Sequence, residues 1–125
     1  MEVDITQEER RSRIQALQEA LGAEPQYIGE VTHHFAPGVY GREIAMKADS
    51  LVVGKLHRHA HLNCLLEGTC VVVTEHGQET LIAPHVWTSL PGIQRAVHNI
   101  TDVRWITYHP TNETDLEKIE AEVIA

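Results

Sequence analysis

The sequence predicts an all-β domain, an antiparallel sandwich or barrel, with a short helix at each end. Turn signals recur at short, regular spacing between residues 27 and 109, from Pro37-Gly38 through Glu67-Gly68 and Pro91-Gly92 to Thr101-Asp102. The runs between them are short and rich in β-forming residues. Helical periodicity is confined to the two ends.

Residues 4–21 read as a helix. Thr6-Gln7-Glu8-Glu9 is a capping-box pattern, Ile14, Leu17 and Leu21 recur at helical spacing, and Gly22 supplies a stop. Strands follow near 27–33, 40–47, 51–59, 61–67, 69–75, 79–83, 86–90, 94–100 and 103–109. After His109-Pro110, Asn112 is a candidate N-cap for a second helix whose apolar stripe is Leu116, Ile119 and Val123. The expected organisation is one domain: an N-terminal helix in 1–25, a barrel in 26–110 and a C-terminal helix in 111–125.

A chain of 125 residues, 42% hydrophobic and 22% charged, can bury a core without staples. Its net charge of −8 argues against electrostatic capture of nucleic acid or an anionic membrane. No apolar run approaches the roughly 20 residues of a bilayer span. The first residues have no basic stretch leading into an apolar segment, so a cytoplasmic protein is expected. Cys64 and Cys70 lie symmetrically about Glu67-Gly68 and would face each other across a hairpin, where free thiols are the expectation. Both faces of that 61–73 hairpin are apolar, so a helix, a second sheet or a partner must cover the outer one. The expected assembly is a homodimer.

The densest chemistry lies in His57-Arg58-His59-Ala60-His61, drawn from nine histidines in all. Histidines two apart on a strand project to one side and can converge on one ion. His57 and His61 would stand about 13 Å apart on a straight strand, far beyond a shared ion with bonds of about 2.1 Å. A three-histidine set therefore requires the chain to reverse near Ala60. Asn63, two residues beyond His61, shares its inward face and could bond a ligand or orient an imidazole. Trp87 and Trp105 read as core residues, and His33, His34 and His76 as loop or surface residues. No phosphate-cradling loop, nucleophile elbow or Cys–His pair is present.

From about residue 40 to residue 109 the chain resembles a single-domain cupin. The first cupin motif matches Gly54 through His57-Arg58-His59 to Glu67-Gly68, and the second resembles Pro91-Gly92-Ile93-Gln94-Arg95 with His98-Asn99 downstream. In overall shape it also resembles small cupin-like proteins encoded by phages. The resemblance implies a jelly-roll β-barrel whose metal site opens into the barrel. Counting back from Gly68, the family's metal-ligating Glu falls on His61; counting on from Gly92, its second-motif His falls on Arg95. His98 lies three positions beyond that slot.

The expected metal ligands are His57, His59 and His61, holding Fe, Mn, Ni or Zn. The expected ligand-binding residues are Arg95, Asn63 and His98. A guanidinium inside a barrel needs an anionic partner, which is either a carboxylate or phosphate ligand or an internal glutamate such as Glu43, Glu67 or Glu79. Three functions fit: a metal-dependent enzyme (dioxygenase, isomerase or lyase) acting on a small anion, a non-catalytic module capturing such an anion, or an assembly scaffold.

Overall fold

The computed structural model describes residues 6–22, 29–54 and 56–124, with side chains throughout except at 10 and 17–22. Helix α1 (Gln7–Gly22) begins where the Thr6 hydroxyl accepts the Glu9 N–H at 3.0 Å. Nine strands follow: β1 (Val31–Ala36), β2 (Val39–Met46), β3 (Leu51–Val53), β4 (His61–Glu67), β5 (Thr69–Thr74), β6 (Gly77–Ile82), β7 (His85–Ser89), β8 (Ala96–Asn99) and β9 (Val103–Pro110). Helix α2 (Leu116–Val123) closes the described chain. Positions 4 and 5 of the expected first helix, and 27 and 28 of the expected first strand, fall outside the described residues.

The strands form two antiparallel sheets, ordered β1-β2-β9-β4-β7 and β3-β8-β5-β6. Their inner faces meet in a core containing Ile44, Met46, Leu65, Cys70, Val97 and Trp105. This is the all-β sandwich expected from the turn spacing, in the jelly-roll form that the cupin resemblance implies. Period-two alternation sorts the large sheet cleanly. Arg42, Thr107, Asn63 and Trp87 form one row across β2, β9, β4 and β7, with Ile44, Trp105 and Leu65 in the next inward-facing row. Leu62 and Val86 point the other way and are 50% and 64% exposed.

Helix α1 covers the outer face of the smaller sheet. Ile14 packs on Val53, Ala96 and Val73, which share one outward row. The second apolar face anticipated for 61–73 is thus divided between sheets. Residues on β5 lie beneath the helix, whereas Leu62 and Leu66 on β4 remain exposed.

Three sequence expectations are corrected. Segment 61–73 is not a hairpin: β4 pairs with β7 and β9, whereas β5 pairs with β6 and β8. A register shift at Leu65/Glu67 and a positive φ of 93° at Gly68 carry the chain from one sheet to the other. Cys64 and Cys70 are accordingly on different sheets, both free. The third strand ends at Val53 rather than residue 59, and the chain bends at Arg58–His59. Helix α2 starts three residues later than Asn112 predicts. Asp115 is its N-cap and accepts from Glu117 and Lys118 N–H at 3.0 and 3.3 Å, because Thr111 and Glu113 hold 111–115 in local turns.

Gly68 admits no side chain. A Cβ there would collide with the Asp102 carbonyl and lie 2.7 Å from Thr101 Oγ1. At Gly92, where φ is +75°, a Cβ would meet nothing within 4 Å. Gly92→Ala should therefore cost about 1 kcal/mol of left-handed strain, and Gly68→Ala about 3 kcal/mol or more, since the crossover must also shift. Urea denaturation midpoints of the two variants check this ordering; equal losses would refute it.

Candidate metal centre

The bend at Arg58–His59 makes the site. His57 forms an isolated bridge with Ile124, and Arg58 donates from its backbone N to the Val123 carbonyl at 2.7 Å and from Nε to the Ile124 carbonyl at 2.6 Å. With the chain folded back there, the His57 and His61 ring centroids lie 4.2 Å apart. His109 completes the group, 5.0 Å from the His61 ring and 5.4 Å from the His57 ring. It reaches this place by strand alternation, continuing the inward series Trp105, Thr107, His109 along β9. One nitrogen from each of the three residues lies within 4.8 Å of the others.

His57 and His61 are brought together as the sequence suggested, but His59 is not. It is exposed on the bend and stands outside the grouped imidazoles. The same-side argument for His57 and His59 needs an extended strand, and the bend removes that premise. His109 takes the third place. The available signal was its parity with Trp105 at the end of an apolar strand.

Arg95 and Asn63 also face this centre. Asn63 is fully buried; its amide donates to Ser89 Oγ at 2.8 Å, and its Oδ1 accepts from Trp105 Nε1 at 3.1 Å and Arg95 Nη1 at 3.4 Å. Arg95 Nη2 lies 3.3 Å from His61 Nε2, and the guanidinium carbon lies 5.4 Å from the Trp105 ring centroid. Arg95 forms no ion pair with a described residue. The glutamates considered as internal partners do not supply one. Glu43, for example, bonds Arg104 and His34 on the other face of the sheet. His98 is exposed on the outer face of the smaller sheet, in register with Leu51 and Val71, and faces away from the cavity. The reason is parity: the inward position on β8 belongs to Val97.

The centre opens into a cavity of about 440 Å³ lined by both sheets and by α2. Arg42, Arg95, His57 and His109 supply polar groups to it, and Leu116, Ile119 and Val123 of α2 form an apolar wall. Trp105 is therefore both core and cavity lining. His33, expected at the surface, is exposed but also lines the cavity, with Nδ1 2.6 Å from the Tyr40 hydroxyl.

Burial sets the protonation of the group. His61 is pushed down to about 3 by burial first, and then by the neighbouring charges of His57, Arg95 and His109. His109 is lowered by burial, then by Arg42 and Arg95. Burial alone pushes Arg95 down to about 10, which leaves it a cation at neutral pH. His61 and His109 are thus held neutral, the form that binds metal. Because a guanidinium can only donate, His61 Nε2 faces it as an acceptor and the proton sits on Nδ1. That Nδ1 is buried without a hydrogen-bond partner.

These residues fit a divalent ion. Three nitrogens sharing an ion at about 2.1 Å lie about 3–3.5 Å apart, and small ring rotations close the remaining gap from 4.8 Å. The orphaned His61 Nδ1 has no protein partner to give up, and ligation through it would move the ring proton to Nε2 and turn Arg95 away from that nitrogen.

No protein-family model and no curated protein matches the sequence. Solved structures do match the fold. A cupin-2 domain-containing protein from Shewanella frigidimarina superposes with a TM-score of 0.56 at 10% identity, covering 76% of this chain and 92% of its own. The Cnp3 cupin domain of Schizosaccharomyces pombe gives 0.56 at 16% identity, over 76% and 73%. Salicylate 1,2-dioxygenase from Pseudaminobacter salicylatoxidans gives 0.62 at 10% identity, over 92% of this chain but 36% of the enzyme. The chain has the cupin jelly-roll fold. No described helix is long and apolar enough to cross a membrane.

Since His61 is neutral when folded and protonates near pH 6.5 when unfolded, the unfolded metal-free chain binds more protons between those limits. Its contribution to stability is full above pH 6.5 and is lost as pH falls towards 3. Metal-free protein should lose about 2 kcal/mol between pH 6.5 and pH 5 from this residue. Urea titrations at both pH values check it, and in His61→Phe the loss should shrink; an unchanged loss in that variant counts against the assignment.

Proposed function

We propose that this cupin-fold chain holds a divalent ion (Fe, Mn, Ni or Zn) on His57, His61 and His109, and that the ion and Arg95 together bind a small anionic molecule. The observation that carries the reading is the grouping of three imidazole nitrogens within 4.8 Å, with His57 and His109 of that group lining the cavity that Arg95 also lines. Bound there, the ion would act as a Lewis acid on a carbonyl, carboxylate or water. The protein's own residues supply the rest. Asn63 holds the guanidinium in place, Arg95 orients an anionic group, and the apolar wall from α2 shields the site from bulk water. Metal-dependent turnover of a small anion is the enzyme reading.

A non-catalytic module that captures a small anion is the second reading. It is favoured by Arg95, a half-buried cation whose polar partners are an amide oxygen and an imidazole nitrogen. The same arginine that would orient a substrate would suffice for capture.

We further propose a cytoplasmic homodimer. The free state of both thiols accords with a reducing compartment. Exposed Leu62, Leu66 and Val86 give the outer face of the large sheet the apolar character of an interface between copies. Sedimentation velocity should show a dimer that Val86→Lys shifts to monomer; a monomeric wild type removes this element of the proposal.

Metal analysis of untagged protein incubated with each of the four ions, then desalted, tests the centre. Close to one ion per chain should be retained with at least one of the metals. His57→Ala and His109→Ala should each lose tenfold or more in affinity, whereas His59→Ala and His98→Ala should retain it. No retained metal, or an equal loss in His59→Ala, would overturn the assignment.

A further inference from the structure

The cavity is cationic in an acidic protein. The chain carries a net charge of −8, yet two arginines, Arg42 and Arg95, line the cavity and neither forms an ion pair with a described residue. Among the described residues, Glu120 of α2 is the one carboxylate in that lining. The grouped imidazoles add no negative charge. Two guanidinium groups against one carboxylate, in a partly enclosed space with apolar walls, leave the lining net positive and favour the entry of an anion.

Their placement is specific. Arg42, Thr107 and Asn63 are consecutive members of one row across β2, β9 and β4. With strands 4.7–4.9 Å apart, the Arg42 and Asn63 backbones are about 10 Å apart. Arg95 reaches the Asn63 end of this row, its Nη1 on the Asn63 oxygen. The two guanidinium groups therefore approach the cavity from opposite sides of Thr107.

We infer that the cavity takes a small molecule with two acidic groups a few carbon atoms apart, one held by Arg95 beside the histidine group and the other by Arg42. The inference rests on, and narrows, the reading of the cavity as a site for a small anion. Arg42 is the specificity-determining residue: it discriminates a dianion from a monoanion of the same length. Arg95 serves any anionic group that enters. Thr107, between them, adds a neutral donor for the connecting chain. The cavity volume of about 440 Å³ accommodates such a molecule with room for water.

Glutarate and butyrate are the probes, titrated calorimetrically at low salt into metal-free and zinc-incubated protein. The two acids are similar in size and differ mainly in the second carboxylate. Glutarate should bind at least tenfold more tightly than butyrate in both preparations. Arg42→Gln should bring the ratio close to one by weakening glutarate far more than butyrate, and Arg95→Gln should weaken both acids. Melting temperatures near wild type establish that the variants are folded, and Arg42→Gln alone suffices if Arg95→Gln is not. Butyrate binding as tightly as glutarate, or a ratio unaltered in Arg42→Gln, overturns the dianion inference while leaving a monoanion site intact. If neither acid binds, both the inference and the anion reading fall. Failure to retain zinc would count against the metal centre alone.

Discussion

The bend at Arg58–His59, and the backbone contacts that tie it to the end of α2, are the constraint on which the centre depends. His57 belongs to no strand, so no strand ladder fixes its backbone. It is held by its bridge to Ile124 and by the two hydrogen bonds that Arg58 sends to the Val123 and Ile124 carbonyls. Helix α2 is in turn anchored by Ile119 and Val123 against Tyr40, whose ring stacks on His109. The same short helix thus supports two of the three histidines from opposite sides. It also supplies an apolar wall of the cavity, which couples closure of the barrel mouth to the geometry of the centre.

The third histidine is held differently. His61 opens β4 and projects inward because Asn63 and Leu65, at the same parity, are locked into the core. Asn63 uses both ends of its amide to join Ser89, Trp105 and Arg95, so it links three strands and the residue preceding β8. A fully buried amide with its partners in place is worth more as a positioning device than as a source of net stability. Replacing it with an apolar residue would leave the Trp105 N–H and one Arg95 N–H without acceptors. The cost of those orphaned donors is what makes the arginine's orientation specific.

Much of this was legible in the sequence. All nine strands and both helices were anticipated, because turn residues and β-branched runs act locally and the jelly roll obeys them. Inward-facing Asn63 followed from parity with His61, whereas His98, expected to bind a ligand, is turned outward by the same alternation on β8. The errors came where local pattern gives way to tertiary geometry. Strand alternation between His57 and His59 fails at the bend at Arg58–His59, which leaves His59 apart from His57 and His61. Symmetry about Glu67-Gly68 suggested a hairpin, but Gly68 carries the chain between sheets. His109 lies 48 residues beyond His61 in the sequence, and only the β4–β9 pairing brings it close. Parity with Trp105 would have marked it as inward, though not as a neighbour of His61.

Arg95 shows how a charge can be buried and still remain available. Burial lowers its pKa only to about 10, so the cation persists at neutral pH. Its protein partners are an amide oxygen, an imidazole nitrogen and an indole face, all of them neutral. Such partners direct the guanidinium and offset part of its desolvation without cancelling its field. A carboxylate in any of these positions would neutralise the charge and close the site to anions. Glu43, the acidic residue nearest in pattern to fill that role, instead faces outward in the row that contains Cys64 and Ile106, where it bonds Arg104 and His34. A one-residue slip of β2 would turn Glu43 towards the cavity and Arg42 away from it. The register that places Tyr40 beside His109 therefore also decides the sign of the charge that the cavity presents.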